Sequence, residues 1–154
     1  MSGIHDQNED STVTSRDVQV LQRKLLYVED NPANLALVEQ FLARRSDLKL
    51  LTAVDGHQGV QLARDCQPKV ILMDMHLPGI NGFEAMQMLR EDTATAHIPV
   101  LALSSNAFQS EIKRCLEAGF FRYLTKPFEL DALMDVIDAA LHYAAEGGAA
   151  PISG

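Results

Sequence analysis

Two rhythms alternate along this chain: short unbroken apolar runs, and longer stretches with apolar residues at helical spacing. KLLYV predicts a first strand over Lys24–Val28. Asn31 then suits a helix cap and Pro32 a first turn, and Leu35, Val38 and Leu42, with Phe41 beside them, mark one helix face. A second strand is predicted over Leu48–Val54 and a second helix over Gln58–Cys66, ended by Gln67-Pro68. Val70–Asp74 is an unbroken apolar run closing on an acid, the pattern of a central parallel strand covered on both faces. HLPGINGF reads as a loop and Phe83–Glu91 as the third helix. Pro99 introduces a fourth strand, Val100–Ser104, and Gln109–Ala118 is a fourth helix that Gly119 is placed to stop. Arg122–Lys126 is the fifth strand. The last helix, Glu129–Tyr143, carries Leu130, Leu133, Ile137 and Leu141 on one stripe.

Strand and helix alternating five times define an α/β protein: a doubly wound, five-stranded parallel sheet with five helices coating both faces and right-handed crossovers. Residues 1–20 lack apolar periodicity and are read as a disordered polar arm, 21–144 as one domain, and 145–154, rich in Gly, Ala and Pro, as a flexible tail. A chain of 154 residues fits one such domain.

Composition narrows the function. Net charge is −8 at pH 7 and the pI about 5.0, which disfavours direct contact with nucleic acid or anionic lipid. No apolar run approaches the roughly 18 residues of a membrane span. The start of the chain is polar and acidic rather than basic-then-apolar, so no signal peptide is expected. Cys66 and Cys115 lie on separate predicted helices without metal-type spacing and read as buried, reduced thiols. These features point to the cytoplasm.

The candidate chemistry sits where strands end: Glu29-Asp30 after the first, Asp74 on the third, Ser104 on the fourth, Lys126 on the fifth. In an open α/β sheet, ligands bind at the carboxyl ends of the strands. Taken singly, Glu29-Asp30 reads as a helix-capping pair, Ser104 as a turn residue and Lys126 as a solvated charge. Taken together they crowd a small volume. Two like charges about 5 Å apart repel by roughly 3 kcal/mol at an effective dielectric near 20, so three acids need a cation, a lysine or a retained proton. Hard oxygen ligands at a partly open site suit Mg2+, with Mn2+ as an alternative. Asp74 is then the candidate nucleophile for a phosphoryl group, Lys126 a partner for a carboxylate or for phosphoryl oxygens, and Ser104 a donor to one of those oxygens. Strand alternation lets only one of Ser104 and Ser105 face the site. Tyr123, within the fifth strand, reads first as a core aromatic. The Lys126–Pro127 bond is a candidate cis peptide.

LLYVEDNPAN, VILMDMHLPGINGFE, PVLALSSNAF and EAGFFRYLTKPF, in this order, resemble the receiver domain of two-component response regulators, over roughly Lys24–Leu141. The Glu-Asp pair followed by Asn-Pro looks like receivers of hybrid kinases and their stand-alone relatives. The resemblance implies a flavodoxin-like sheet of order 2-1-3-4-5. It implies a signalling domain rather than an enzyme: Asp74 takes a phosphoryl group from a histidine kinase or a histidine phosphotransfer protein, in a phosphorelay. It implies that Glu29, Asp30, Asp74 and the backbone carbonyl of His76 place Mg2+, that Lys126 binds the phosphate, and that Ser104 and Tyr123 are the switch pair. A downstream protein partner is expected on the face made by the fourth helix, fifth strand and fifth helix, with Phe108, Phe120 and Phe121 as candidate docking contacts or core residues. The oligomeric state is expected to be a monomer or a phosphorylation-dependent dimer.

Four positions depart from the family's usual pattern. Ser105 replaces a small apolar residue, and Phe120-Phe121-Arg122 replaces more polar residues. His76 and Asn106 stand where the family tunes phosphate lifetime. Rival readings fit less well. A haloacid-dehalogenase-like phosphatase needs an acid two residues after its nucleophile, where this chain has His76, and a cap domain that the length does not allow. A module that only binds partners would be expected to have lost the acceptor or the lysine. A nucleotide-binding fold lacks its glycine-rich loop after the first strand. After Leu141 too few residues remain for an output domain, so the chain is read as a stand-alone receiver or a piece of a larger protein.

Overall fold

The computed structural model describes residues 22–147. The polar arm expected over residues 1–20 and the greater part of the tail expected over 145–154 lie outside the described residues. The elements alternate as β1 (Arg23–Val28), α1 (Pro32–Leu42), β2 (Leu48–Ala53), α2 (Gly56–Cys66), β3 (Val70–Asp74), α3 (Gly82–Glu91), β4 (Val100–Ser104), α4 (Gln109–Glu117), β5 (Arg122–Thr125) and α5 (Leu130–Ala145). All five strands pair in parallel, in the order β2-β1-β3-β4-β5. This is the flavodoxin-like order expected.

Strand alternation divides the apolar runs between two layers. Leu26, Val28, Ile71, Met73, Val100 and Ala102 face one side, where Ala63 of α2, Ala85, Met86 and Leu89 of α3, and Cys115 of α4 cover them. Leu25, Tyr27, Val70, Leu72, Leu101 and Leu103 face the other, under Val38 and Leu42 of α1 and Leu133, Ile137, Ala140 and Leu141 of α5. Both faces are therefore buried, which is why β3 shows no polar alternation.

Local signals set the helix ends. Asn31 Oδ1 accepts from the Ala33 and Asn34 N–H groups, and Pro32 occupies the first turn. Asn81 and Glu84 form a reciprocal capping box at α3. α4 ends at Gly119, whose φ of +105° allows Phe120 N–H to reach Cys115 O and Gly119 N–H to reach Leu116 O. α2 ends on Gln67 in the left-handed region, φ 53°.

One expectation needs correction, and the open reading of three phenylalanines is resolved. Cys66 is only half-buried, because it lies on the outer turn where α2 ends; Cys115 is buried and both are free thiols. Phe120 is a core residue, 3% exposed, packed edge-on against Phe83 with ring centroids 6.1 Å apart. Phe121 lies tilted against Tyr143, at 4.9 Å, on the α1/α5 side. Of the three phenylalanines only Phe108, 75% exposed, stands open.

Candidate functional site

The sheet delivers its chemistry to one rim. The β1 ladder continues one residue past Val28, with Glu29 N–H donating to Ala53 O at 2.9 Å. The β5 ladder likewise passes Thr125, with Lys126 N–H donating to Ser104 O at 2.8 Å. Met75 N–H donates to Leu103 O at 2.9 Å, which holds Asp74 at the end of β3. Glu29, Asp74 and Lys126 are thus positioned by main-chain bonds before any side chain contributes. The Lys126–Pro127 bond is cis.

One carboxylate oxygen from each of Glu29, Asp30 and Asp74 lies within 4.8 Å of the others. Glu29 is 1% exposed and Asp74 3%, while Asp30 is exposed. Lys126 closes the cluster, its Nζ 3.1 Å from Glu29 Oε1 and 3.1 Å from Asp74 Oδ1. Asp74 Oδ1 also accepts from the His76 backbone N–H at 3.1 Å. Burial, then the neighbouring Glu29, pushes the Asp74 carboxyl above the ordinary carboxylate range, and His76 N–H and Lys126 only partly counter it. Burial also works on Glu29, but hydrogen bonds with Asp74, Tyr27 and Asn31, and the charge of Lys126, outweigh it and hold Glu29 below that range. The two acids share one proton more readily than they bear two charges. A divalent cation would relieve the same repulsion, and three hard oxygen donors with one exposed member fit Mg2+.

Ser104 is buried and stands beside His76, its Oγ 3.3 Å from His76 Nε2; it accepts from Asn106 N–H at 3.1 Å. Ser105 is exposed and lines a cleft together with Tyr27, Asn34 and Lys126. Tyr123 is not part of the acidic cluster. Its hydroxyl donates to the Asn106 carbonyl, and Asn106 Oδ1 accepts from Phe108 N–H at 2.9 Å. Asn106 therefore touches Ser104, Tyr123 and Phe108 at once.

Sequence reasoning missed two donors. The Tyr27 hydroxyl gives Glu29 Oε1 a hydrogen bond of 2.8 Å, and the Asn34 side-chain amide gives it one of 3.2 Å. Tyr27 precedes Glu29 by two and so shares its face of the strand, a signal available in the sequence. Asn34 carries none.

Fold and rim together define a doubly wound α/β domain with an acidic centre at the carboxyl ends of its strands. The chain belongs to the response regulator receiver domain family, whose model matches residues 25–138, and is a signal-transduction domain of two-component systems. It is similar to Protein PilH of Pseudomonas aeruginosa, 34% identical over 118 residues that span 77% of this chain and 97% of that protein. It is 30% identical to the polar-differentiation response regulator DivK of Brucella anthropi, over 79% of this chain and 98% of DivK. The receiver domain of sensor histidine kinase PA1611 from Pseudomonas aeruginosa superimposes with a TM-score of 0.72 at 32% identity, covering 79% of this chain and 98% of that domain; that structure has a magnesium ion coordinated in the active site cleft. The chemotaxis response regulator CheY4 of Vibrio cholerae shares the fold, with a TM-score of 0.72 at 24% identity. Among the described residues no helix is long and apolar enough to cross a membrane.

Proposed function

We propose that this chain accepts a phosphoryl group on Asp74 from the phosphohistidine of a histidine kinase or histidine phosphotransfer protein in the cytoplasm. The observation that carries this reading is the surroundings of Asp74: Lys126 and the His76 N–H both bind Oδ1, and Oδ2 takes no hydrogen bond from the described residues. Oδ2 is then the nucleophile. A bond forms between Oδ2 and phosphorus as the phosphorus–nitrogen bond breaks, and the donor ring nitrogen keeps the electron pair. Magnesium held by Glu29, Asp30, Asp74 and the His76 main-chain carbonyl would supply positive charge to the phosphoryl oxygens. Lys126 exchanges its carboxylate partners for one of those oxygens, so the chain contributes position and charge rather than covalent steps of its own.

The signal follows from Ser104. Its hydroxyl leaves His76 and the Asn106 N–H to donate to a phosphoryl oxygen, and Asn106 carries the change to Tyr123 and Phe108. The face formed by α4, β5 and α5 is the partner surface. α4 suits this role because Cys115 is its only fully buried residue. The change is a shift between two populated states, biased by the phosphoryl group. The product is the modified chain itself, so the domain signals rather than turns over a substrate. Incubation with acetyl phosphate and Mg2+ tests the reading: one acid-stable, base-labile phosphoryl group is expected, and none with EDTA or in Asp74→Asn.

A further inference from the structure

Glu29 presents a question that the phosphoryl chemistry leaves open. A buried carboxylate persists only where donors surround it, and this one has four. Tyr27 hydroxyl (2.8 Å), Asn34 amide (3.2 Å) and Lys126 ammonium (3.1 Å) all converge on Oε1, while of these four donors Oε2 receives the Asn31 backbone N–H alone, at 3.2 Å. Three donors exceed the two lone pairs of one oxygen. Oε1 is therefore fully committed, and Oε2 keeps a lone pair for the cation once Asp74 is ionised. The three donors to Oε1 also line one cleft of about 320 Å³, which Leu37 and Phe128 help to wall. They approach Glu29 together, from the side of α1 and α5.

The three donors differ in how firmly they are held. Lys126 divides its ammonium between Glu29 and Asp74. Asn34 sits on a half-buried helix turn. The Tyr27 ring is fully buried in the central part of the sheet, packed in the layer beneath α1 and α5. Burial raises its hydroxyl far above the usual phenol range, with the Glu29 charge adding to this, so it stays a donor at all working pH values.

We infer that Tyr27 is a positioning residue for the metal-binding acid: its hydroxyl, seconded by the Asn34 amide, locks the Glu29 carboxylate so that Oε2 alone is offered to the cation. The inference rests on the magnesium reading of the site given above. Without the hydroxyl the carboxylate turns about its last bond, and each binding event must first restrain it. Partners placed behind metal ligands in this way are worth about 10- to 100-fold in metal affinity.

Calorimetric titration of Mg2+ into the full chain tests this, with thermal midpoints recorded in EDTA. Tyr27→Phe keeps the ring and removes one oxygen, so the core stays filled. It is expected to weaken Mg2+ binding about tenfold, with a smaller loss in Asn34→Ala. Thr95→Val is the control, since it removes another buried hydroxyl hydrogen bond, to Leu89 O at 2.7 Å, in the α3–β4 loop at the other end of the sheet. It is expected to lower the thermal midpoint and leave Mg2+ affinity unchanged. A Tyr27→Phe protein that binds Mg2+ within twofold of wild type, whatever its midpoint, overturns the inference. A wild-type chain that takes up no Mg2+ overturns instead the cation reading on which it rests.

Discussion

Lys126 Nζ stands 3.1 Å from Asp74 Oδ1, joining the ends of two strands that are not neighbours in the sheet. β4 lies between them, so the lysine stem must cross the end of that strand beside Ser104. Lys126→Ala removes the only side-chain cation paired with these two acids among the described residues, and leaves the repulsion of Glu29 and Asp74 to the metal alone. Phosphorylation by acetyl phosphate is expected to slow by about 100-fold, the usual loss on removing one fixed electrostatic group. Initial rates at saturating Mg2+ measure it.

The imidazole of His76 and the hydroxyl of Ser104, 3.3 Å apart, form a second link between strand ends. In the resting state that contact competes with any phosphoryl oxygen for Ser104. His76→Ala is expected to shift the amide resonances of Asn106 and Tyr123 part-way toward their phosphorylated positions before any phosphoryl group is added. Nuclear magnetic resonance on the unphosphorylated variant reads this directly, and unchanged resonances would separate His76 from the switch.

The acids make stability depend on pH in opposite senses. The folded value of Asp74 is raised, so its contribution to stability is complete below the unfolded carboxylate range and is lost as pH rises through the folded value. The folded value of Glu29 is lowered, so its contribution is present above the unfolded range and is lost as pH falls through the folded value. Asp74→Asn mimics the protonated acid. In EDTA it is expected to be more stable than wild type at neutral pH, with the difference shrinking on acidification. Thermal midpoints across the pH range measure it, and Mg2+ should narrow the neutral gap by stabilising wild type more than the variant.

A close approach of helix to sheet supports the rim from below. A Cβ on Gly59 of α2 would lie 2.7 Å from Val28 Cγ2 and 3.1 Å from Val28 Cγ1, and Val28 immediately precedes Glu29. Valine has little freedom at χ1, so Gly59→Ala must displace the helix or the strand. A loss of about 1–3 kcal/mol is expected in denaturant unfolding, in the range of other overpacked cores.

Much of this architecture is legible in residue order. The apolar run Val70–Asp74 identifies the central strand because two packed faces erase alternation. The acids and the lysine are legible because each closes a strand and parallel strands bring their ends together. α2 is expected from Gln58 but begins at Gly56, since the Asp55 side chain caps it by accepting from Gln58 N–H at 2.8 Å. β5 ends at Thr125, one residue before the expected Lys126. α5 extends to Ala145 rather than Tyr143. In sequence, Phe120 reads equally as a docking contact or a core residue. It is buried because the turn at Gly119 points the following residue back at the helix, where an apolar side chain is favoured. The His76–Ser104 contact joins the loop after β3 to the end of β4, and the Asn34 bond joins α1 to the residue after β1; neither has a sequence signal, because the side-chain directions that make them are set only in the folded domain.

The most direct measurement is the site of modification. Wild-type chain treated with acetyl phosphate and Mg2+, reduced with borohydride to convert any acyl phosphate to an alcohol, and mapped by peptide mass spectrometry should show homoserine in place of Asp74 and at no other acid. Conversion at Glu29 or Asp30, or none at all despite Mg2+ binding, would contradict the account.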